Sequence, residues 1–350
     1  MPFAVAALAA AGPDAPVEPT TLERRDPGPH DVVVDIAYTG ICHTDIALLR
    51  NHWMEGLFPM VPGHEITGTV VAAGPGVTRH AVGDRVGIGC YVDSCRTCEN
   101  CLAGHEQHCL EGEVLTYGAL DHDGRPTFGG YSRRIVVDEN YALRVPDGLG
   151  LDVAAPLLCA GVTMYAPLRR WGAGPGRKVA VVGMGGLGHI GVKLAHAMGA
   201  EVTVLSRSLS KREDGLRFGA RDYVSTEDAS WFRDHARGFD LIVNTVSGGI
   251  DTDAYLGLLR LDGVLVNAGV TAEPAAFQGM LLGAQRRIIT STKNGSLREC
   301  QDLLDFCARH GIAADIETVP AERVNGALDR LDRGDVRYRF VIDLATLGQG

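Results

Sequence analysis

The sequence predicts an α/β protein in which a β-rich, barrel-like domain is joined to a doubly wound parallel sheet. Three observations carry that expectation. Residues 31–145 alternate short β-branched runs with Gly/Pro turns, as short strands closed by turn residues do. Beyond Pro156 the texture changes to apolar strands separated by helix-length segments, the alternation a parallel sheet with helical crossovers requires. The first strand of this later part runs straight into a glycine-dense turn.

Taken in order, 32–37, 67–72, 84–88, 131–137 and 141–145 read as strands of the first part, because β-branched and aromatic side chains fit a pleated, half-buried surface. In the second part 178–182 is a buried apolar strand, 189–198 a helix and 202–205 the next strand. Further strands fall at 241–244 and 264–267. The tail offers helices at 297–310 and 324–331 and a final strand at 338–342.

Composition narrows the function classes. At 350 residues the chain is long enough for about two domains with full cores. Hydrophobic residues make up 45%, as in an ordinary soluble globular protein. A net charge of −10 argues against nucleic acid as a partner, since phosphate binding needs a basic face. No apolar run reaches the length of a bilayer span. The apolar segment 1–11 has no basic residues ahead of it, so it reads as a first strand and turn rather than an export signal. Nine cysteines, several clustered, fit a reducing cytoplasm better than a disulfide framework.

Four of them, Cys95, Cys98, Cys101 and Cys109, form a C-x2-C-x2-C-x7-C run in a polar loop. Tetrahedral zinc takes four thiolates, and this spacing lets one short loop wrap the ion. An iron–sulfur cluster is the other occupant that four thiolates accept.

The second motif is Gly183-Met184-Gly185-Gly186-Leu187-Gly188, after a strand and before a helix. Glycines there allow a tight turn and let backbone amides approach a pyrophosphate at a helix N-terminus. The end of the second strand selects the dinucleotide. An NAD site wants an acidic residue there for the ribose hydroxyls. This chain reads Leu205-Ser206-Arg207-Ser208-Leu209-Ser210-Lys211, whose hydroxyls and cations suit a 2′-phosphate. NADP(H) is the expected cofactor.

Several multi-residue motifs remain. They are Gly40-Ile41-Cys42-His43-Thr44-Asp45, Pro62-Gly63-His64-Glu65, Gly89-Cys90-Tyr91-Val92-Asp93-Ser94-Cys95, Gly129-Gly130-Tyr131-Ser132 and Cys159-Ala160-Gly161-Val162-Thr163. The last is Asp-Val-Arg-Tyr-Arg-Phe-Val-Ile-Asp at 335–343. With these in order, the chain resembles the zinc-dependent medium-chain alcohol dehydrogenases, nearest the cinnamyl-alcohol-dehydrogenase-like branch, over almost its whole length.

The resemblance implies a GroES-like zinc catalytic domain at 1–159 and 297–350, a Rossmann domain at 160–296, and a cleft between them holding zinc and nicotinamide. It implies two zinc ions per subunit: a structural one in the four-cysteine loop, and a catalytic one on Cys42, His64 and Cys159 with Glu65 able to exchange in. Asp45 would orient the histidine, and Thr44 would bond the substrate oxygen and begin proton transfer. His43 would approach the pyrophosphate, with Thr163, Gly269 and Val270 at the nicotinamide. Trp53 and Leu115 would line the substrate cleft. The implied reaction is hydride transfer between NADP(H) and an alcohol/aldehyde pair, here an aromatic or allylic one, in a homodimer joined through edge strands near 287–292. Reduction of a conjugated C=C or C=N bond is the neighbouring alternative.

Two departures from the family pattern bear on the site. Ala47 stands where a relay histidine is common. Lys293 and Asn294 replace apolar residues beside the nicotinamide, as does Asn267 on the preceding strand. A more polar pocket is expected, with Lys293 either receiving an anionic or carbonyl-bearing substrate or extending to solvent.

Overall fold

The computed structural model describes residues 1–270 and 274–348. The chain forms two compact units, Met1–Cys159 with Ser296–Gly350, and Ala160–Gly295.

The first unit is built on a seven-stranded sheet around Asp31–Ile41, an 11-residue strand buried along most of its length. This strand pairs antiparallel with Ile66–Ala73, Arg134–Asp138 and Arg339–Asp343. Register shifts at Val33/Val34 and Ile36/Tyr38 bend it, as β-bulges do, so that one strand serves three partners. Arg85–Ile88 and Leu143–Arg144 extend the sheet beyond Ile66–Ala73, and Ile316–Pro320 runs parallel to Arg339–Asp343 at the other edge. Val32, Val34, Ile36, Ile66, Val70, Ile88, Phe340 and Ile342 fill the core. Phe3–Ala10 forms an antiparallel pair with Val17–Arg24.

In the second unit six parallel strands stand in the order Asp222–Ser225, Glu201–Ser206, Lys178–Val182, Phe239–Asn244, Leu259–Asn267, Ile288–Ser291. Chain order is third, second, first, fourth, fifth, sixth. The direction of winding therefore reverses beside Lys178–Val182, and ligands bind doubly wound sheets at that switch point. Ala180, Val182, Leu205, Ile242, Leu256 and Leu265 form part of its core.

The β-rich part and the parallel sheet are as the sequence predicts, with shifted boundaries. The strand expected at 131–137 is Arg134–Asp138, because Tyr131 instead gives its amide to Pro62. The strand expected at 141–145 shrinks to Leu143–Arg144, since Asp138 caps a tight 3-10 turn over Glu139–Tyr141. The helix expected at 189–198 starts at Gly186 and spans Gly186–Ala197. Among the described residues no single helix is long and apolar enough to cross a membrane.

Candidate active site

Cys42 follows the central strand directly and caps the helix His43–Leu49. Its amide donates to Asp45 Oδ2 at 2.8 Å while its own side chain faces the third residue of the helix, a reciprocal cap. His64 and Glu65 enter the neighbouring strand Ile66–Ala73, and the Gly40 amide donates to the Glu65 carbonyl at 2.9 Å. That pairing brings Glu65 beside Cys42. A β-carbon at Gly40 would collide with Glu65 Oε2, so a larger residue there would displace the carboxylate. Cys159 follows the 3-10 turn Ala155–Leu158, whose Leu158 packs on Gly87 of the Arg85–Ile88 strand.

These elements bring one ligand atom each from Cys42, His64, Glu65 and Cys159 within 4.8 Å of one another, and all four residues are buried. The donor chemistry fits zinc: two sulfurs, an imidazole and a carboxylate. Electrostatics agree. The hydrogen bond from Cys159 pulls the Cys42 thiol well below its usual pKa, with His64 adding to the effect. Cys159, donor to Cys42, is pushed well above its own. Burial opposes charge on His64, yet Cys90, Asp45 and Cys42 outweigh it and raise its pKa. Burial pushes the Glu65 carboxyl up to about 7 despite the Arg339 guanidinium. Glu65 Oε2 is buried without a hydrogen-bond partner, which is costly unless something else satisfies it. A divalent cation bound by the sulfurs and the ring would relieve this crowding of acceptors.

Around this set, Asp45 is fully buried. Oδ1 accepts the Tyr117 hydroxyl at 2.6 Å and the Gly63 amide at 3.3 Å. Oδ2 also accepts the Tyr131 hydroxyl at 3.3 Å. His64 Nδ1 lies 3.5 Å from Oδ1. Thr44 Oγ1 is 3.6 Å from Cys42 Sγ, and His43 is exposed at the start of the helix.

The four loop cysteines gather in the same way. Their sulfurs lie within 4.8 Å of one another, and Cys95 Sγ and Cys101 Sγ are 3.8 Å apart, too far for a disulfide. Backbone amides of Cys98, Cys101, Leu110 and Cys95 point at sulfurs of Cys95, Cys98, Cys98 and Cys109 at 3.3–3.5 Å. Amides of Thr97 and Cys98 bring the Cys95 thiol down to about 6. Such amides stabilise thiolates that a metal would bind.

In the second unit the glycine turn has the geometry its sequence implies. A β-carbon at Gly188 would collide with the Gly183 carbonyl, and Gly183 has φ +91°. The helix Gly186–Ala197 starts from Gly185 without a side-chain cap, leaving its first amides open to an anion. Lys211 Nζ donates to the Met184 carbonyl at 3.2 Å. The basic end of the 206–211 segment therefore folds back on the glycine turn, while Arg207 and Ser208 are exposed.

The model for the alcohol dehydrogenase GroES-like domain matches residues 28–147, and that for zinc-binding dehydrogenases matches residues 186–309. An NADP-dependent alcohol dehydrogenase C of Mycolicibacterium smegmatis is 56% identical over 344 residues, covering 98% of this chain and 99% of that protein. The chain belongs to the zinc-binding alcohol dehydrogenase family. Two solved structures share the fold across 99% of both chains. A cinnamyl alcohol dehydrogenase of Sorghum bicolor has a TM-score of 0.96 at 41% identity. CAD from Helicobacter pylori, complexed with NADP(H), has a TM-score of 0.92 at 37% identity.

Other residues expected at this dehydrogenase's site lie as follows. Trp53 is 46% exposed, and Leu115 pairs with Tyr91 in a short ladder. In the second unit Thr163 donates to Asn294 Oδ1 at 3.2 Å, so those two are brought together, while Lys293 is exposed. Asn267 Oδ1 accepts from Asn244 at 3.1 Å, and Asn244 in turn accepts the Val246 amide. The polarity noted at 267 thus has a partner within the sheet. Gly269 follows, where a β-carbon would collide with the Val246 carbonyl, and Val270 is exposed.

Sequence reasoning gave no role to Tyr117, Tyr131, Arg339 or Asn244. Tyr131 and Arg339 stood inside motifs already singled out. Tyr117 carried no signal, being one tyrosine in a loop 72 residues from its carboxylate partner.

Proposed function

We propose that this alcohol dehydrogenase interconverts an aromatic or allylic aldehyde and its alcohol with NADP(H). The observation that carries this is the buried Cys42, His64, Glu65 and Cys159 set, and the carboxylate-free segment 206–211 supports the choice of dinucleotide. Relatives named as NADP-dependent and as cinnamyl alcohol dehydrogenases support the substrate class. When bound, zinc supplies Lewis acidity toward a carbonyl oxygen and NADPH supplies hydride.

The roles we assign to the chain are supported by its geometry and family. Cys42, His64 and Cys159 hold one ion, and Glu65, with Oε2 unpartnered, exchanges into the set. Cys95, Cys98, Cys101 and Cys109 hold a second, structural ion. Thr44 donates to the substrate oxygen and passes it a proton, and Asp45 faces the far side of His64. Ala47 is buried on the same helix and cannot resupply that proton, so it reaches Thr44 by another route. His43, Gly183, Gly185, Gly186, Leu187 and Gly188 serve the pyrophosphate. Ser206, Arg207, Ser208 and Lys211 serve the ribose phosphate, and Thr163, Gly269 and Val270 the nicotinamide. Trp53, Leu115, Lys293 and Asn294 are assigned to the substrate. In this reading 1–159 with 297–350 is the catalytic domain and 160–296 the cofactor domain.

A homodimer through Ile288–Ser291 is supported by that strand's place at the edge of its sheet and by exposed Ile288. A cytoplasmic location is supported by cysteines that form no disulfide among the described residues. Zinc-loaded protein incubated with NADPH and cinnamaldehyde-like compounds, with products identified, tests the activity. Allylic alcohol is expected. A saturated aldehyde, or tight cofactor binding without turnover, would overturn the assignment.

A further inference from the structure

Asp45 has more donors around it than a carboxylate can serve. The Cys42 amide, Tyr131 hydroxyl, Gly63 amide and Tyr117 hydroxyl all donate to it, and a carboxylate offers about four acceptor positions. The set is full before His64 is counted. His64 Nδ1 lies 3.5 Å from Oδ1, longer than an ordinary hydrogen bond, and is buried with no hydrogen bond formed. Oδ1 is also the oxygen that Tyr117 holds at 2.6 Å. Packing keeps the phenol there, since its ring stacks on the imidazole with centroids 5.8 Å apart and planes at 22°. All four side chains are buried.

We infer that Tyr117 sets how tightly His64 holds the catalytic metal, by occupying the Asp45 oxygen that would otherwise take the imidazole N–H. A full hydrogen bond from Nδ1–H to a carboxylate makes the opposite ring nitrogen a stronger ligand. The Tyr117 proton takes the lone pair and draws charge from Oδ1, which weakens that contact. The metal is then held less firmly and stays more electron-poor, which favours polarising a carbonyl. Tyr131 acts on the other oxygen at 3.3 Å and does not compete. The inference deepens the zinc reading above and rests on it. Tyr117 is a positioning residue, acting on the metal only through Asp45 and His64.

The test is chelator-driven zinc release from the zinc-loaded protein. The phase belonging to this site is identified by its loss in Cys42→Ser. Tyr117→Phe keeps the stacked ring and removes the competing proton, so release from this site should slow by roughly threefold or more. Tyr131→Phe should leave the rate nearly unchanged. Replacing Tyr117 with 3-fluorotyrosine, a stronger donor of the same shape, should speed release and remains readable if the phenylalanine variant folds poorly. A merely structural role predicts faster release from Tyr117→Phe. Equal or faster release there, or no acceleration with fluorotyrosine, overturns the inference while zinc binding stands. A protein with no Cys42-dependent zinc overturns the metal reading and the inference together.

Discussion

Arg339 and Glu65 form an ion pair that solvent does not reach: Nη2 donates to Glu65 Oε1, with side-chain exposures of 1% and 0%. Arg339 lies on the strand Arg339–Asp343 and Glu65 leads into Ile66–Ala73, on opposite flanks of the central strand. The arginine thus holds one oxygen of a metal-set carboxylate from behind and leaves Oε2 without a partner. Burial works against the guanidinium's charge, but Glu65 and the Cys42 sulfur keep its pKa above the ordinary value.

Breaking this pair should be costly. Arg339→Met leaves a buried carboxylate uncompensated, and stability should fall by about 3–5 kcal/mol. Urea denaturation measures it. Adding Glu65→Gln should recover part of the loss, because the stranded charge is gone. A loss below about 1 kcal/mol in the single variant would show that solvent reaches the pair.

A second pair gives a pH dependence whose sign can be worked out. Asp31 lies below its ordinary pKa: burial pushes it up, but the hydrogen bond from Arg25 and the Gly28 amide at 2.5 Å outweigh that. A carboxyl depressed in the folded state stabilises above its unfolded pKa, and the contribution vanishes as pH falls through the folded one. Asp31→Asn should therefore lose about 1 kcal/mol near neutrality and match the parent protein in strong acid. Unfolding midpoints across pH measure this. A difference that grows on acidification would contradict it.

The four-cysteine loop should depend on its own ion. Cys98→Ser removes a sulfur that accepts two backbone amides, those of Cys101 and Leu110. Zinc should drop by one ion per chain, with cleavage by added protease concentrated near residues 95–109 and the Cys42-dependent ion retained. Loss of both ions together would contradict the separation of the two sites.

Cofactor choice should follow residue 207. Arg207→Asp replaces a cation with the carboxylate that an NAD site uses for ribose hydroxyls. Losing a charged partner of the phosphate costs about 1.5–3 kcal/mol, so the KM for NADPH should rise about 10- to 100-fold and that for NADH should fall. Steady-state kinetics with both cofactors decides it. Unchanged NADPH kinetics would move the phosphate away from Arg207.

Much of this architecture was legible because local chemistry dictates it. Gly183 and Gly188 are fixed by a turn that nothing larger fits, and four closely spaced cysteines can wrap one ion within a single loop. The strand Ile316–Pro320 was not legible: it ends in proline and its burial is partial, so it depends on Arg339–Asp343 beside it. The helix His43–Leu49 was missed because only seven residues form it and its cap is a cysteine. Cys42, His64 and Cys159 could be joined only by resemblance, since more than a hundred positions separate the first and last. Tyr117 was invisible because its partner is reached only through the fold. Asn267 looked like a change in the substrate pocket until Asn244, another strand's residue, proved to be its partner.

Metal content measured with turnover tests the central claim most directly. Purified protein should carry two zinc ions per chain, one for each cluster. Cys42→Ser should keep one, bind NADPH as before and lose aldehyde reduction. One ion or fewer in the parent protein, with reduction surviving in Cys42→Ser, would contradict the account.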